Sequence, residues 1–173
     1  PYTTLFRSWA TCTASPGFIL ANADKIPPDD GTKWSEEGTL AHLVAAATLL
    51  GEKLPTEGVD KEMRLHGWNY AEYVEGLRKP YGRLLVEQKL PLWYMPGRNA
   101  IVDAAVLNSQ EIHIVDYKYG EGVAVHPEGN LQATIYATIV GKMQPPLGHE
   151  FPIFVHIFQP RGRNAADGAA HVW

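Results

Sequence analysis

Two β-rich runs, Ile101 to Leu107 and Ile112 to Lys118, flank the polar tetrapeptide Asn108-Ser109-Gln110-Glu111, the pattern of a hairpin. Pairing Leu107 with Ile112 places Asp103 directly opposite Asp116 on one face, where opposed Cβ atoms lie about 4.5–5.5 Å apart. Lys118, two residues beyond Asp116, falls on that same face. Like charges so placed repel and call for compensation, and a divalent cation would supply it. Magnesium takes oxygen ligands, usually one or two carboxylates with water and a substrate phosphate. Asp103 and Asp116 offer the carboxylates, and the backbone carbonyl of Tyr117 a third oxygen. Lys118 would then orient or deprotonate the attacking water in phosphodiester hydrolysis. The same letters also fit a bend-capping Asp103 beside an exposed Asp116–Lys118 pair, because short D…DxK patterns are common by chance.

Two further patterns stand outside the hairpin. Gly38-Thr39-Leu40-Ala41-His42 is a GxxxH, and Gln132-Ala133-Thr134-Ile135-Tyr136 is a QxxxY. Each pair is spaced i,i+4 and shares one helix face. Taken singly, His42 among Ala41, Leu43 and Val44 reads as a core histidine, and Gln132–Tyr136 as a hydrogen bond on a helix surface. Their order along the chain is more specific. The set GxxxH, Asp103, Asp116-Tyr117-Lys118, Gln132…Tyr136 resembles the RecB-like branch of the PD-(D/E)XK nuclease superfamily. Within it, the chain looks most like an uncharacterised phage and prophage family. Trp9…Cys12, Glu37-Gly38-Thr39, Val86-Glu87-Gln88, Tyr119-Gly120, Asn130-Leu131 and Gln159-Pro160-Arg161 carry the resemblance further.

That resemblance implies a restriction-endonuclease-like α/β core and a Mg²⁺- or Mn²⁺-dependent deoxyribonuclease, an exonuclease of phage recombination or replication. His42, Asp103, Asp116 and Tyr117 would bind the metal. Lys118 would be the catalytic lysine, with Gln132 and Tyr136 lining the cleft near the phosphate. Glu87 is a candidate extra acidic member, although a solvated strand-end charge explains it as well. His126, Arg161 and Arg163 are candidates for touching nucleic acid, with ordinary surface charge as the competing reading. The implied partners are DNA and a phage single-strand annealing protein, and the implied setting is the cytoplasm of a bacterial host. A non-catalytic DNA-binding or assembly module with the same fold is the rival function. A hydrolase of small phosphoesters is a third.

One departure concerns iron–sulfur chemistry, which several RecB-like nucleases use. Cys12 is the only cysteine, so a cluster could assemble only in a longer parent protein. A lone cysteine also excludes an intrachain disulfide and makes a reducing compartment the default.

The elements that must carry these residues follow from pattern. With 173 residues, 45% of them hydrophobic, the chain suits a single domain with a sizeable core. No run approaches the ~18 apolar residues of a membrane span. A net charge of −4 means that any DNA contact must come from a local cluster. Pro1 to Ser8 resembles the in-frame translation of a sequencing-adapter oligonucleotide, so native sequence is expected from about Trp9, in a domain 9–173 truncated at its C-terminal side. Ser35 reads as an N-cap with Glu36 and Glu37 in the first turn of a helix reaching Leu50, closed by Gly51. A second helix starts at Asp60 and stops before Pro80. Leu84 to Leu90 is a strand and the hairpin supplies two more. Gly129-Asn130 opens a helix that ends at Gly141, and Phe151 to Gln159 is a fourth strand. The expected fold is a mixed central sheet flanked by helices.

Overall fold

The computed structural model describes residues 21–22, 24–25, 33–93, 97, 99–121, 124–143, 151–162 and 170–172. The expectations for Pro1 to Ser8, Trp9, Cys12 and Arg163 lie outside them. In chain order the elements are α1 (Lys33–Leu50), α2 (Lys61–Leu77), β1 (Arg83–Pro91), β2 (Asn99–Leu107), β3 (Ile112–Tyr117), α3 (Leu131–Gly141), β4 (Ile153–Phe158) and β5 (Ala170–Val172). The five strands form one sheet in sequence order. β1/β2, β2/β3 and β4/β5 are antiparallel, and β3/β4 is parallel, with α3 making the crossover. This is the mixed α/β sheet with flanking helices expected of a restriction-endonuclease-like core. β5 was not anticipated; three residues are too few for a period-2 signal to stand out. Among the described residues no helix is long and apolar enough to cross a membrane.

Local chemistry sets the helix ends. Asp60 caps α2, its carboxylate accepting from the Met63 N–H at 2.7 Å. Asn130 does the same for Ala133 at the start of α3. Gly51 follows α1 with φ +67°, the left-handed conformation in which glycine carries no Cβ penalty. Ser35 is not the N-cap of α1. The helix begins at Lys33, so Ser35 lies in its first turn and its carbonyl accepts from the Thr39 hydroxyl. At Gly67 α2 comes so close to α1 that a Cβ would sit 3.0 Å from Val44.

The sheet is covered on both faces. Val44, Tyr70 and Val74 from α1 and α2 pack on Ala104, Val106, Val115 and Tyr117. Tyr136, Ile139 and Val140 from α3 pack on Ala105, Leu107, Ile112 and Ile114. Each large apolar side chain buried this way contributes about 1.5–3 kcal/mol. The alternation of faces slips in two adjacent strands at one level. Ala104 and Val106 face α1 and α2, but Val102 and Ala100 join the α3 side. In β1, Leu84 and Val86 pack beneath α1 and α2, whereas Leu90 belongs to the α3 side. The slips fall at Asp103 and Glu87, and Glu87 has φ +45°, which is rare for a residue with a side chain. Such local breaks re-aim side chains and cluster at functional sites.

Candidate metal centre

The register determines which groups meet. The β2/β3 ladder pairs Leu107 with Ile112 and Ala104 with Val115, so its next step sets Asp103 opposite Asp116. The β1/β2 ladder pairs Val86 with Ala104 and Gln88 with Val102, which sets Glu87 opposite Asp103. Three carboxylates therefore stand in one row across three neighbouring strands. At this level the side chain of Asp103 replaces a main-chain partner. Its Oδ2 accepts from the Tyr117 N–H at 2.8 Å.

α1 brings His42 to the row. Its Nδ1 lies 3.4 Å from Glu87 Oε1 and 3.6 Å from Asp103 Oδ1. The ring meets Tyr117 edge-on at 5.4 Å between centroids, and Tyr117 packs in turn on Tyr70. His42 is thus not a core histidine. Tyr117 enters the site through its backbone, while its ring is part of the core beneath α1 and α2.

From the other side of the sheet α3 contributes Gln132 and Tyr136. The ammonium of Lys118 donates to Asp116 Oδ1 at 3.1 Å and to Gln132 Oε1 at 3.3 Å. The Gln132 amide nitrogen donates to Asp116 Oδ1 at 3.1 Å and to the Tyr136 hydroxyl at 2.8 Å. Asp116 is buried, its side chain 3% exposed. Its Oδ2 lies 2.8 Å from the Lys118 ammonium, a buried ion pair.

Electrostatics follow from the crowding. Burial pushes Asp103 up to about 7; His42 opposes the shift and Asp116 adds to it. Burial alone would lower the pKa of His42. The hydrogen bond to Glu87 and the charges of Asp103, Glu87 and Asp116 outweigh it and hold the imidazole above its ordinary value. Lys118 behaves likewise: burial lowers its pKa, and Asp116 and Asp103 more than restore it. Tyr136 is raised, chiefly by burial.

The donor set fits a divalent cation. One ligand atom each from His42, Glu87 and Asp103 lies within 4.8 Å of the others. Asp116 stands at the neighbouring position in the row, its carboxylate engaged by Lys118 and Gln132. Imidazole with carboxylates suits Mn²⁺ as well as Mg²⁺. Cys12 lies outside the described residues, and one thiolate cannot hold an iron–sulfur cluster.

All the residues singled out in the four ordered motifs converge here. Glu87 converges with them, and the strand-end reading of it gives way. Its place was readable only through the β1/β2 register, which the letters alone did not specify. Arg161, a candidate for touching nucleic acid, is engaged within the fold by three carboxylates. Its guanidinium is bound by Glu37 at 2.8 Å, by Glu121 and by Glu62, and it lies over the Tyr119 ring at 4.7 Å. His126 is exposed, and its carbonyl accepts from the Asn130 side chain. A groove of about 640 Å³ lined by His66, Asn69, Tyr73 and Phe158 holds none of the motif residues.

No solved structure matches the chain. Over residues 6–171 its sequence matches the model of a family described as protein of unknown function (DUF2800), and the chain belongs to that family.

Proposed function

We propose that this protein is a Mg²⁺- or Mn²⁺-dependent deoxyribonuclease of the RecB-like PD-(D/E)XK kind, acting as an exonuclease in phage recombination or replication. The observation that supports it is the meeting of two polar clusters, His42–Asp103 and Asp116–Lys118–Gln132–Tyr136, drawn from four elements and joined through the Tyr117 N–H on Asp103. A bland reading of each residue alone gives no reason for that convergence.

His42, Glu87, Asp103 and Asp116 would hold the cation. A divalent ion bound there would supply Lewis-acid stabilisation of charge building on the phosphate. Lys118 lies against Asp116 and would orient or deprotonate the attacking water and stabilise developing negative charge. The water oxygen bonds to phosphorus as the ester P–O bond breaks, the water giving up its proton and the departing oxygen gaining one. Gln132 holds both the ammonium and Asp116 Oδ1, so the two keep their relative placement while substrate binds. A row of carboxylates repels a phosphodiester unless a cation intervenes, so binding and chemistry share one metal requirement.

The test is incubation of the protein with end-labelled linear DNA, closed plasmid and a chromogenic phosphodiester, with Mg²⁺, Mn²⁺ or EDTA. The proposal expects metal-dependent loss of linear DNA. DNA binding without cleavage in either metal would establish the non-catalytic module, and turnover of the chromogenic ester alone a small-phosphoester hydrolase.

A further inference from the structure

The residues just after β4 lie outside the chemistry, yet they grip the segment that joins Lys118 to α3. The Lys118 N–H donates to the Phe158 carbonyl at 2.9 Å. Gln159 is buried, and its side chain reaches two places at once. Its Nε2 donates to the Gly120 carbonyl at 3.3 Å, and its Oε1 accepts from the Val125 N–H at 2.9 Å. Arg161 covers the Tyr119 ring and binds Glu121. Phe158, Gln159 and Arg161 thus hold positions 118 to 121 and 125. Gly162 leaves room for this: a Cβ there would meet Gln159 Cδ at 2.9 Å and Oε1 at 3.2 Å.

We propose that Gln159 is a positioning residue for the reaction at Asp116–Lys118, acting as a staple that sets the reach of the loop between Lys118 and Gln132. The inference rests on the nuclease reading above. Gln132 must come within hydrogen-bond range of both Lys118 and Asp116 across a connection with no helix or strand in its described part. Such a connection leaves its end points loose unless something fixes them, and a displacement of about 1 Å at reacting groups can cost ~100-fold in rate. Gln159 supplies the fixing from a rigid strand end. His42, Glu87 and Asp103 belong to α1, β1 and β2, so the staple bears on Lys118 and Gln132 and leaves those three ligands alone.

Gln159→Ala removes both arms. Gln159→Glu keeps the acceptor toward Val125 and loses the donor toward Gly120. Gly162→Ala presses on the Gln159 amide without altering it. In the full chain the expected result is a fall in kcat of at least tenfold for Gln159→Ala, less for Gln159→Glu, and a fall for Gly162→Ala. KM and Mn²⁺ affinity should stay within about twofold of wild type. Val74→Ala, a core change under α2, serves as a stability-matched control and should keep its kcat. The second readout is independent of turnover: the Gln132 side-chain amide in a ¹⁵N–¹H correlation spectrum, hydrogen-bonded and slowly exchanging in wild type, should exchange at a solvent-like rate in Gln159→Ala. Wild-type kcat in Gln159→Ala, an equal loss in Val74→Ala, or an unchanged Gln132 amide overturns the staple. A wild-type protein that cleaves no DNA defeats the nuclease reading instead, and the amide readout still decides whether Gln159 holds Gln132.

Discussion

Two polar networks cross this sheet, and they differ in how well their donors and acceptors are matched. One runs from Lys79 to Glu111 at 2.6 Å, to His113 at 3.1 Å, to His156 at 3.0 Å and to the Tyr73 hydroxyl at 2.7 Å. Each link joins a donor to an acceptor, and the buried pair needs no further ion. The other is the row Glu87–Asp103–Asp116. It crowds three carboxylates together, raises the pKa of Asp103, and includes Glu87 with its left-handed backbone. A saturated chain of hydrogen bonds rigidifies a fold. A crowded row costs stability and persists where function requires it. The contrast supports the proposed cation site in the second network and reads the first as structure.

Breaking the row has the largest expected effect. Asp116→Ala or Asp103→Ala should lower DNA hydrolysis by ~10³-fold or more, since each removes a cation ligand and the charge stabilisation that depends on it. Both variants should fold, but in EDTA Asp116→Ala should lower Tm, because Lys118 loses its buried ion-pair partner, whereas Asp103→Ala should change Tm less, relief of repulsion offsetting the lost bond from the Tyr117 N–H. Wild type should gain Tm on adding Mn²⁺, as a native-state ligand must stabilise, and the variants should gain less. Absence of a Mn²⁺-dependent shift in wild type counts against the shared site. Lys118→Met comes next, with kcat down by about 10²-fold and metal and DNA affinity retained, the split expected of a group acting in the transition state. Near-normal turnover would reassign Lys118 to a structural ion pair.

The two networks should also respond oppositely to pH. Burial, and then the neighbouring His113, pull His156 down to about 4 from an ordinary 6.5. The unfolded chain binds that proton more readily, so the stability His156 contributes is complete above pH 6.5 and is lost as pH falls toward 4. Asp103 is raised to about 7. Its contribution is complete below the ordinary carboxylate range and is lost as pH rises through 7. Between pH 4 and 6.5 the two slopes oppose and partly cancel. His156→Gln should therefore leave a metal-free protein that grows less stable as pH rises across that window. Asp103→Asn should leave one that grows less stable as it falls. Each slope is on the order of 2 kcal/mol across the window, below the full value of 1.36 kcal/mol per pKa unit because solvent screens part of it. Urea melts at fixed intervals of pH in EDTA read both; parallel slopes in the two variants would refute the contrast.

Much of this was legible in the letters. The hairpin register could be read from a four-residue polar loop between two apolar runs, and it carried Asp103 and Asp116 into opposition. The i,i+4 pairs placed His42 and Gln132–Tyr136 on single helix faces, but only the resemblance brought those faces to the hairpin. What stayed hidden depends on distant pairing. Glu87 reaches the site through a slip in strand phase that alternation rules assume absent. Arg161 reads as a free cation until the folded chain sets it among Glu37, Glu62 and Glu121. Gln159 looks like a polar residue at a strand end, and its two partners lie thirty-nine and thirty-four positions away.

The smallest effect separates the ligands within the row. His42 and Glu87 are more exposed than Asp116, with side chains 30% and 36% accessible against 3%. Their loss therefore leaves water free to fill the vacated coordination position. His42→Ala should keep α1 intact, since alanine is the strongest helix former, and should weaken Mn²⁺ binding about tenfold, with Mg²⁺ affected less because imidazole favours the softer ion. Glu87→Gln should weaken both ions to similar degrees, a hard oxygen ligand being lost in each case. It should also leave His42 with a lower pKa, because the hydrogen bond it donates to the Glu87 carboxylate helps hold that pKa up. Calorimetric titration of both metals into both variants measures the difference. Equal Mn²⁺ and Mg²⁺ losses in His42→Ala would mean that the imidazole positions the carboxylates and does not ligate the ion. The cation would then rest on the carboxylate row alone.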